Sequence, residues 1–301
     1  MTPCDAARKA TGMSLARGSI SAAEGAVRPT PPEPLGRLLA KPYPIVMGIL
    51  NITPDSFSDG GQFENPQVAI THAKRMAEEG ADILDIGGES TRPYLGAVPV
   101  SFDDEMSRLK PVLPAVVGFG IPVSIDTIKA KVAAWALAQG ATIVNDVWGL
   151  QHDPDMARVV AERGVPVIVM HNREQADGAI DIVADVMAFF NRSLEIAERA
   201  GIARTAIVLD PGIGFGKTPE QSMEVIARLD AFKSFGLPIL VGASRKRFIN
   251  SVIPSAPGER LAGSIAAHVL AVTNGARIIR THDVAQTVQA LRVADAIRGC
   301  R

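Results

Sequence analysis

Pro44-Ile45-Val46-Met47-Gly48-Ile49 runs without a break into Leu50-Asn51-Ile52-Thr53-Pro54-Asp55-Ser56-Phe57-Ser58-Asp59-Gly60-Gly61. The first part is a continuous apolar run, the pattern of a strand buried on both faces. Thr53-Pro54-Asp55 and Asp59-Gly60-Gly61 are breaker clusters, so the chain cannot continue extended. A passive connector needs only such turn residues. This one also carries Asn51, Ser56, Phe57 and Asp59, oxygen ligands and a ring at the mouth of a strand, where α/β proteins place their sites.

Working outward, eight short runs rich in β-branched and aliphatic residues recur at 45–50, 83–86, 123–125, 143–145, 166–170, 207–209, 239–242 and 277–280. Each is followed by a stretch of helical period, at 66–79, 102–117, 129–138, 154–162, 181–200, 219–235, 259–273 and 284–297. In the first of these Val68, Ile70, Ala73, Met76 and Ala77 share one face and Gly80 supplies the stop. Near-continuous apolar strands spaced too widely for hairpins imply a parallel sheet covered by helices. Eight such units in series predict an α/β fold closed as a parallel eight-stranded (β/α)8 TIM barrel. A doubly wound open sheet is the alternative, but it needs a topological switch point and a dominant glycine fingerprint that this chain does not display.

Composition agrees with one such domain. The 301 residues are 47% hydrophobic and 21% charged, enough for a large core. With 31 basic against 32 acidic side chains and no like-charge block, nothing points to a nucleic-acid or membrane surface, and small molecules are the expected partners. Cys4 and Cys300 stand in the two tails, far from any metal-ligand spacing, as expected in a reducing cytoplasm. Residues 1–40, ending in Pro29-Thr30-Pro31-Pro32-Glu33-Pro34, read as a loosely attached N-terminal extension, or as a transit-like segment, ahead of a barrel domain at 41–301.

A parallel barrel gathers the ends of its strands on one face, and here every end is polar. In order these are Asn51; Asp85 with Glu89-Ser90-Thr91-Arg92; Asp126; Asn145-Asp146; His171; Asp210; Ser244-Arg245-Lys246; and Arg280-Thr281-His282. The strand starts, such as Gly120-Ile121-Pro122, carry only turn residues. Asp126 and Asp210 are expected to face a ligand, because a carboxylate in an apolar strand needs a partner and can accept two parallel hydrogen bonds from a flat amino-substituted heterocycle. Asp85 is expected to hold its following loop by accepting backbone amides. Thr91-Arg92 and Arg280-Thr281-His282 suit phosphate oxygens. Asp210-Pro211-Gly212-Ile213-Gly214-Phe215-Gly216-Lys217-Thr218 fails the phosphate-loop spacing, and its glycines instead let backbone approach a flat ligand beside Phe215. His72, His152 and His268 lack metal-ligand spacing and read as surface or packing residues.

These segments, in this order, closely resemble the dihydropteroate synthase family over roughly 44–297. The resemblance rests on the 50–61 segment, Gly88-Glu89-Ser90-Thr91-Arg92-Pro93, Ser124-Ile125-Asp126-Thr127, Asn145-Asp146, Met170-His171, the 210–217 segment, Ser244-Arg245-Lys246 and Arg280-Thr281-His282. It implies condensation of 6-hydroxymethyl-7,8-dihydropterin diphosphate with para-aminobenzoate to give 7,8-dihydropteroate, with Mg2+ as the ion, sulfonamides as inhibitors and a homodimer as the assembly. By position, Asp126, Asn145, Met170, Asp210, Phe215, Gly242 and Lys246 would surround the pterin. Asn51, Thr91, Arg92, Arg280 and His282 would hold the diphosphate, with Asn51 also at the metal. Phe57, Thr91, Pro93, Lys246 and Arg247 would lie nearest para-aminobenzoate. Asp59, Asp126, Lys246 and Arg280 would carry the chemistry. The chain departs from the family at Tyr94-Leu95, which lengthen the second loop, either as harmless length variation or as a narrowing of the outer rim against sulfonamides. Two other readings share parts of the pattern: a pterin-binding methyltransferase barrel, which has no use for Phe57 and Arg92, and a silent pterin-binding paralogue, which would be expected to lose Asn51, Asp59, Arg92, Lys246 or Arg280.

Overall fold

The computed structural model describes residues 30–52, 66–89 and 100–300. Phe57, Asp59, Thr91, Arg92, Pro93 and the Tyr94-Leu95 insertion therefore lie outside the described residues. The eight strands are β1 (Ile45–Asn51), β2 (Ile83–Gly87), β3 (Val123–Asp126), β4 (Ile143–Asp146), β5 (Val167–Met170), β6 (Ile207–Asp210), β7 (Leu240–Val241) and β8 (Ile278–Thr281). All pairings are parallel, in the order β6-β5-β4-β3-β2-β1-β8-β7. A single bridge from Leu209 to Ile239 joins β6 to the β7 side, with the Leu209 amide donating to the Pro238 carbonyl at 2.9 Å. The TIM barrel is thus formed, held most thinly at β7, which is shorter than the 239–242 run suggests.

The helices are α1 (Leu35–Leu39), α2 (Pro66–Glu78), α3 (Phe102–Leu109), α4 (Leu113–Val117), α5 (Ala130–Ala138), α6 (Met156–Arg163), α7 (Ile182–Ala200), α8 (Pro219–Ala227), α9 (Arg247–Val252), α10 (Leu261–Asn274) and α11 (Val284–Arg298). The helix expected at 102–117 is two helices. Pro111 has no N–H to continue the ladder and its ring crowds the preceding turn, so α3 ends at Leu109 and α4 starts afresh around Pro114. The stretch expected as one helix over 219–235 leaves the α conformation at Arg228 (φ −104°, ψ 25°) and continues as 3-10 turns from Leu229 to Phe235. Among the described residues no helix is long and apolar enough to cross a membrane.

The part of the 1–40 extension that is described is not loose. Leu35 and Leu38 of α1 are buried in one cluster with Ile45, Met47, Ile83, Ile143, Ile168, Val208, Leu240 and Ile278, drawn from seven of the eight strands. That cluster fills the barrel interior at its N-terminal end, and α1 plugs it. Arg277 latches the connection by donating to the carbonyls of Leu39, Lys41 and Tyr43.

Side chains alternate along a strand, so the residue two places after each inner aliphatic also points inward. Val46, Leu84, Ile86, Val123, Ile125, Val144, Val169, Leu209 and Ile279 instead pack outward in the large core shared with the helices. The inward partners of Ile83, Ile143, Val208 and Ile278 are Asp85, Asn145, Asp210 and Arg280, all at the C-terminal end. Asp126 and Asn51 stand at the same end of β3 and β1.

Candidate active site

Arg280 is the hub of this mouth. Its Nε donates to Asp85 Oδ2 at 2.6 Å and its Nη2 to Asp126 Oδ2 at 2.7 Å. Asn145 Nδ2 donates to the same Asp85 oxygen at 3.1 Å. Asp85 therefore orients two side chains across the barrel; among the described residues no backbone amide donates to it, and most of the loop it was expected to hold lies outside them. Gly242 lies under the arginine, where an added Cβ would stand 3.7 Å from Arg280 Cβ.

One guanidinium serves two buried carboxylates, and among the described residues Asp85 Oδ1, Asp126 Oδ1 and Ser124 Oγ are buried with no hydrogen-bond partner. Burial pushes Asp126 up to about 8, against the pull of Arg280 and with Asp85 adding to the push. Burial likewise raises Asp210, while the Gly212 amide, 2.8 Å from its Oδ1, and the charges of Lys246 and Arg280 oppose the rise. Arg280 is held above its ordinary value; burial acts against its charge, and the facing carboxylates outweigh it. Burial thus works against the charged form of Asp126, whose Oδ1 has no hydrogen-bond partner among the described residues.

The segment after β6 forms one wall. Gly212 (φ 65°) and Gly216 (φ 54°) are left-handed and lie flat on the segment after β5. A Cβ at Gly212 would sit 1.9 Å from the His171 carbonyl oxygen, and one at Gly216 would sit 2.3 Å from Arg173 Cβ, so only glycine fits either place. Phe215 joins Met170 and Val147 in a small apolar cluster with Ile128 and Trp148 at its edge. Such a platform suits the face of a flat ring. The Lys246 ammonium stands 4.0 Å from the centroid of Phe215 and donates to the Ile213 carbonyl.

The loops after β7 and β8 are tied together. Ser244 Oγ lies 3.0 Å from His282 Nδ1 and accepts from the His282 amide at 3.2 Å, and the Arg245 guanidinium pairs with Asp283. Arg245 holds a left-handed φ of 58°, stabilised where its amide donates to Ser264 Oγ at 2.8 Å and Arg260 donates to its carbonyl at 3.0 Å. This turn aims Lys246 inward. Arg247 is exposed at the first position of α9, outside the inner group. Asn51 ends β1 opposite Gly87. Among the described residues no group of three or more His, Cys, Asp or Glu is arranged to hold a metal ion.

A model of the pterin binding enzyme family matches residues 47–282. The dihydropteroate synthase of Bacillus subtilis (strain 168) is 47% identical over 254 residues, 84% of this chain and 88% of that one. The chain belongs to the dihydropteroate synthase family of pterin-binding enzymes. Two solved dihydropteroate synthases share its fold. That of Clostridium difficile, determined in the presence of pteroic acid, has a TM-score of 0.81 and 49% identity over 85% of this chain and 97% of its own. That of Xanthomonas albilineans with 4-aminobenzoic acid has a TM-score of 0.81 and 45% identity over 85% and 93%.

In this dihydropteroate synthase barrel, Asp126, Asn145, Asp210, Lys246 and Arg280 all stand at the strand ends of the mouth, with Met170 and Phe215 beside them. Two contributions escaped the sequence reading. The role of Asp85 depends on an arginine 195 positions away, which no local pattern reveals. Lys217 is buried, its Nζ bonded to His171 Nδ1 at 2.6 Å and to the carbonyls of Gly212 and Phe215 at 2.9 and 3.1 Å. A lysine closing a glycine-rich segment was the available signal, set aside with the failed phosphate-loop spacing.

Proposed function

We propose that the chain condenses 6-hydroxymethyl-7,8-dihydropterin diphosphate with para-aminobenzoate, giving 7,8-dihydropteroate and diphosphate. The observation that carries the reading is the ring of Asp85, Asp126, Asn145, Asp210 and Arg280 inside one barrel mouth, beside the Met170 and Phe215 platform. In this reading Asp126, Asn145, Asp210 and Lys246 read the polar edge of the pterin, and Met170 and Phe215 cover its face. Asn51, Arg280 and His282, with Thr91 and Arg92, hold the diphosphate. Phe57, Thr91, Pro93, Lys246 and Arg247 surround para-aminobenzoate.

The methylene C–O bond breaks with its electron pair going to the diphosphate. The aromatic amine then forms the new C–N bond and gives up one proton to the solvent or the departing diphosphate. Positive charge develops on the conjugated pterin as the anion departs, so fixed charges of both signs lower the barrier. Arg280 faces the leaving anion, while Asp126 and Asp210, with Asp59, face the cation. No enzyme nucleophile takes part.

The donor set fits magnesium bound chiefly by substrate. Mg2+ commonly takes one or two protein oxygens and completes its shell with phosphate and water. Asn51 offers an amide oxygen at the right end of β1, with no hydrogen bond to its side chain among the described residues, and the diphosphate would supply the rest. When bound, the ion neutralises charge on the leaving group. Sulfonamides compete for the para-aminobenzoate position in this reading, and the family resemblance extends it to a cytoplasmic homodimer. The test is incubation of the purified full chain with both substrates and Mg2+. Dihydropteroate and diphosphate in equal amounts, suppressed by a chelator, are expected; absence of product under these conditions overturns the reading.

A further inference from the structure

The buried Lys217 is used by none of the roles above. Its three N–H donors meet three acceptors, His171 Nδ1 at 2.6 Å, the Gly212 carbonyl at 2.9 Å and the Phe215 carbonyl at 3.1 Å. For His171 Nδ1 to accept, the other ring nitrogen must carry the proton, and Nε2 does face a carboxylate, Asp185 Oδ2, at 3.0 Å. Asp185 is fixed in turn by Arg173 Nη1 at 2.9 Å. Burial and the Lys217 charge push His171 down to about 3, while burial also pushes Lys217 well below its ordinary value, so the ammonium rests on geometry: three acceptors stand around its Nζ.

The two carbonyls held by Lys217 bracket Ile213-Gly214, and the same short arc presents the two groups that hold Lys246: the Ile213 carbonyl and the Phe215 ring. The arc is tied down at its start by Asp210 Oδ1 accepting the Gly212 amide, and at its end by the Thr218–Gln221 capping box that opens α8. Between those ties Ile213 is buried in the core and the Phe215 amide closes a turn on the Gly212 carbonyl at 3.0 Å, while the Lys217 ammonium holds the Gly212 and Phe215 carbonyls from beneath. A group on the end of a four-carbon side chain at Lys246 needs such a fixed dock if its ammonium is to stand within a fraction of an ångström of the reacting atoms.

We infer that Lys217 is a positioning residue of the reaction: with His171 as its acceptor it fixes the 212–215 arc, and through that arc it sets the Lys246 ammonium. The inference rests on the proposed condensation, and its test separates the two. Steady-state kcat/KM for the pterin substrate is measured in the full chain, in Lys217→Met, in Lys246→Ala and in the double variant. Lys217→Met is expected to lower kcat/KM at least tenfold in the natural background and less than twofold where Lys246 is already gone, because residues acting through one another are not additive. The same factor in both backgrounds, or no loss in either, overturns the inference. If Lys246→Ala alone leaves turnover unchanged, it is the assignment of Lys246 that fails. A second measurement needs no variant to fold: 15N NMR of the natural protein at pH 7 is expected to show His171 with an unprotonated Nδ1. A protonated Nδ1 overturns the inference.

Discussion

At the N-terminal end of the barrel interior, Ile83, Ile143, Val208 and Ile278 pack with Leu35 and Leu38 into a dry cluster. Two residues further along the same strands stand Asp85, Asn145, Asp210 and Arg280, and among the described residues the buried Oδ1 atoms of Asp85 and neighbouring Asp126 have no hydrogen-bond partner. The backbone and the inward direction are the same at both ends, and all but the partly buried Arg280 are buried. Only the chemistry of the side chain differs, and with it what the layer can do: the lower layer stabilises the barrel, whereas the upper layer costs stability and leaves acceptors unsatisfied until a ligand arrives.

The sharpest way to break this contrast is to remove the hub of the upper layer. Arg280→Met leaves Asp85 with Asn145 as its donor and takes the donor from Asp126 Oδ2, and an uncompensated buried charge costs about 3–5 kcal/mol. Urea unfolding should register that loss, with turnover falling to background. The mirror experiment is Leu38→Ala in the plug, expected to cost about 2–5 kcal/mol of stability, as a core truncation does, while the kinetic constants of the remaining folded protein stay put. A change in the Michaelis constants would mean that the two ends are not separable. Asp210→Asn should keep the fold, since its Oδ1 can still accept the Gly212 amide, yet turn one ligand-facing acceptor into a donor. Calorimetry is expected to show pterin affinity weakened by about 1.5–3 kcal/mol, roughly ten- to a hundredfold.

His268 on α10 sharpens the contrast from outside the mouth. It is fully buried and among the described residues neither ring nitrogen has a hydrogen-bond partner; burial lowers it to about 4. Its folded value lies below the unfolded 6.5, so the unfolded state alone takes up the proton between those values and stability is lost as pH falls from 6.5 toward 4. His268→Leu should be neutral to about 1 kcal/mol stabilising at pH 7. Its advantage should grow on acidification through that window, because His171 titrates alike in both proteins. A constant difference across the window would count against a neutral buried ring.

Much of this was legible in the sequence because a strand's period of two makes the inner column readable once the strand is placed. An aliphatic residue followed two places later by a polar one marks the mouth at Ile83 and Asp85, at Ile143 and Asn145, at Val208 and Asp210, and at Ile278 and Arg280. What was not legible depends on which residues meet across the barrel. Asp85 could not be known to face Arg280, nor Lys217 to lie against His171, because strand stagger and loop lamination set those meetings. Leu35 and Leu38 were hidden for a different reason: a Pro-rich approach reads as a tail, and two leucines carry too little periodicity to announce a plug. Pro111 was the readable break in the 102–117 helix and was overlooked.

Asp126→Asn tests most directly the claim that the upper layer trades stability for chemistry. The folded carboxyl, at about 8, lies above its unfolded value of 3.8, so the native state binds the extra proton and stability falls as pH rises from the lower value through the upper one. The amide cannot ionise, and its oxygen can still accept from Arg280. Unfolding free energy and kcat/KM, measured on the natural chain and on Asp126→Asn from pH 5 to 9, should therefore diverge. The account predicts a variant at least as stable as the natural chain at pH 8, gaining on it as pH rises, with kcat/KM lower by about a hundredfold, the scale of losing one preorganised charge-stabilising contact. A variant that is less stable across that range and still turns over normally would contradict it.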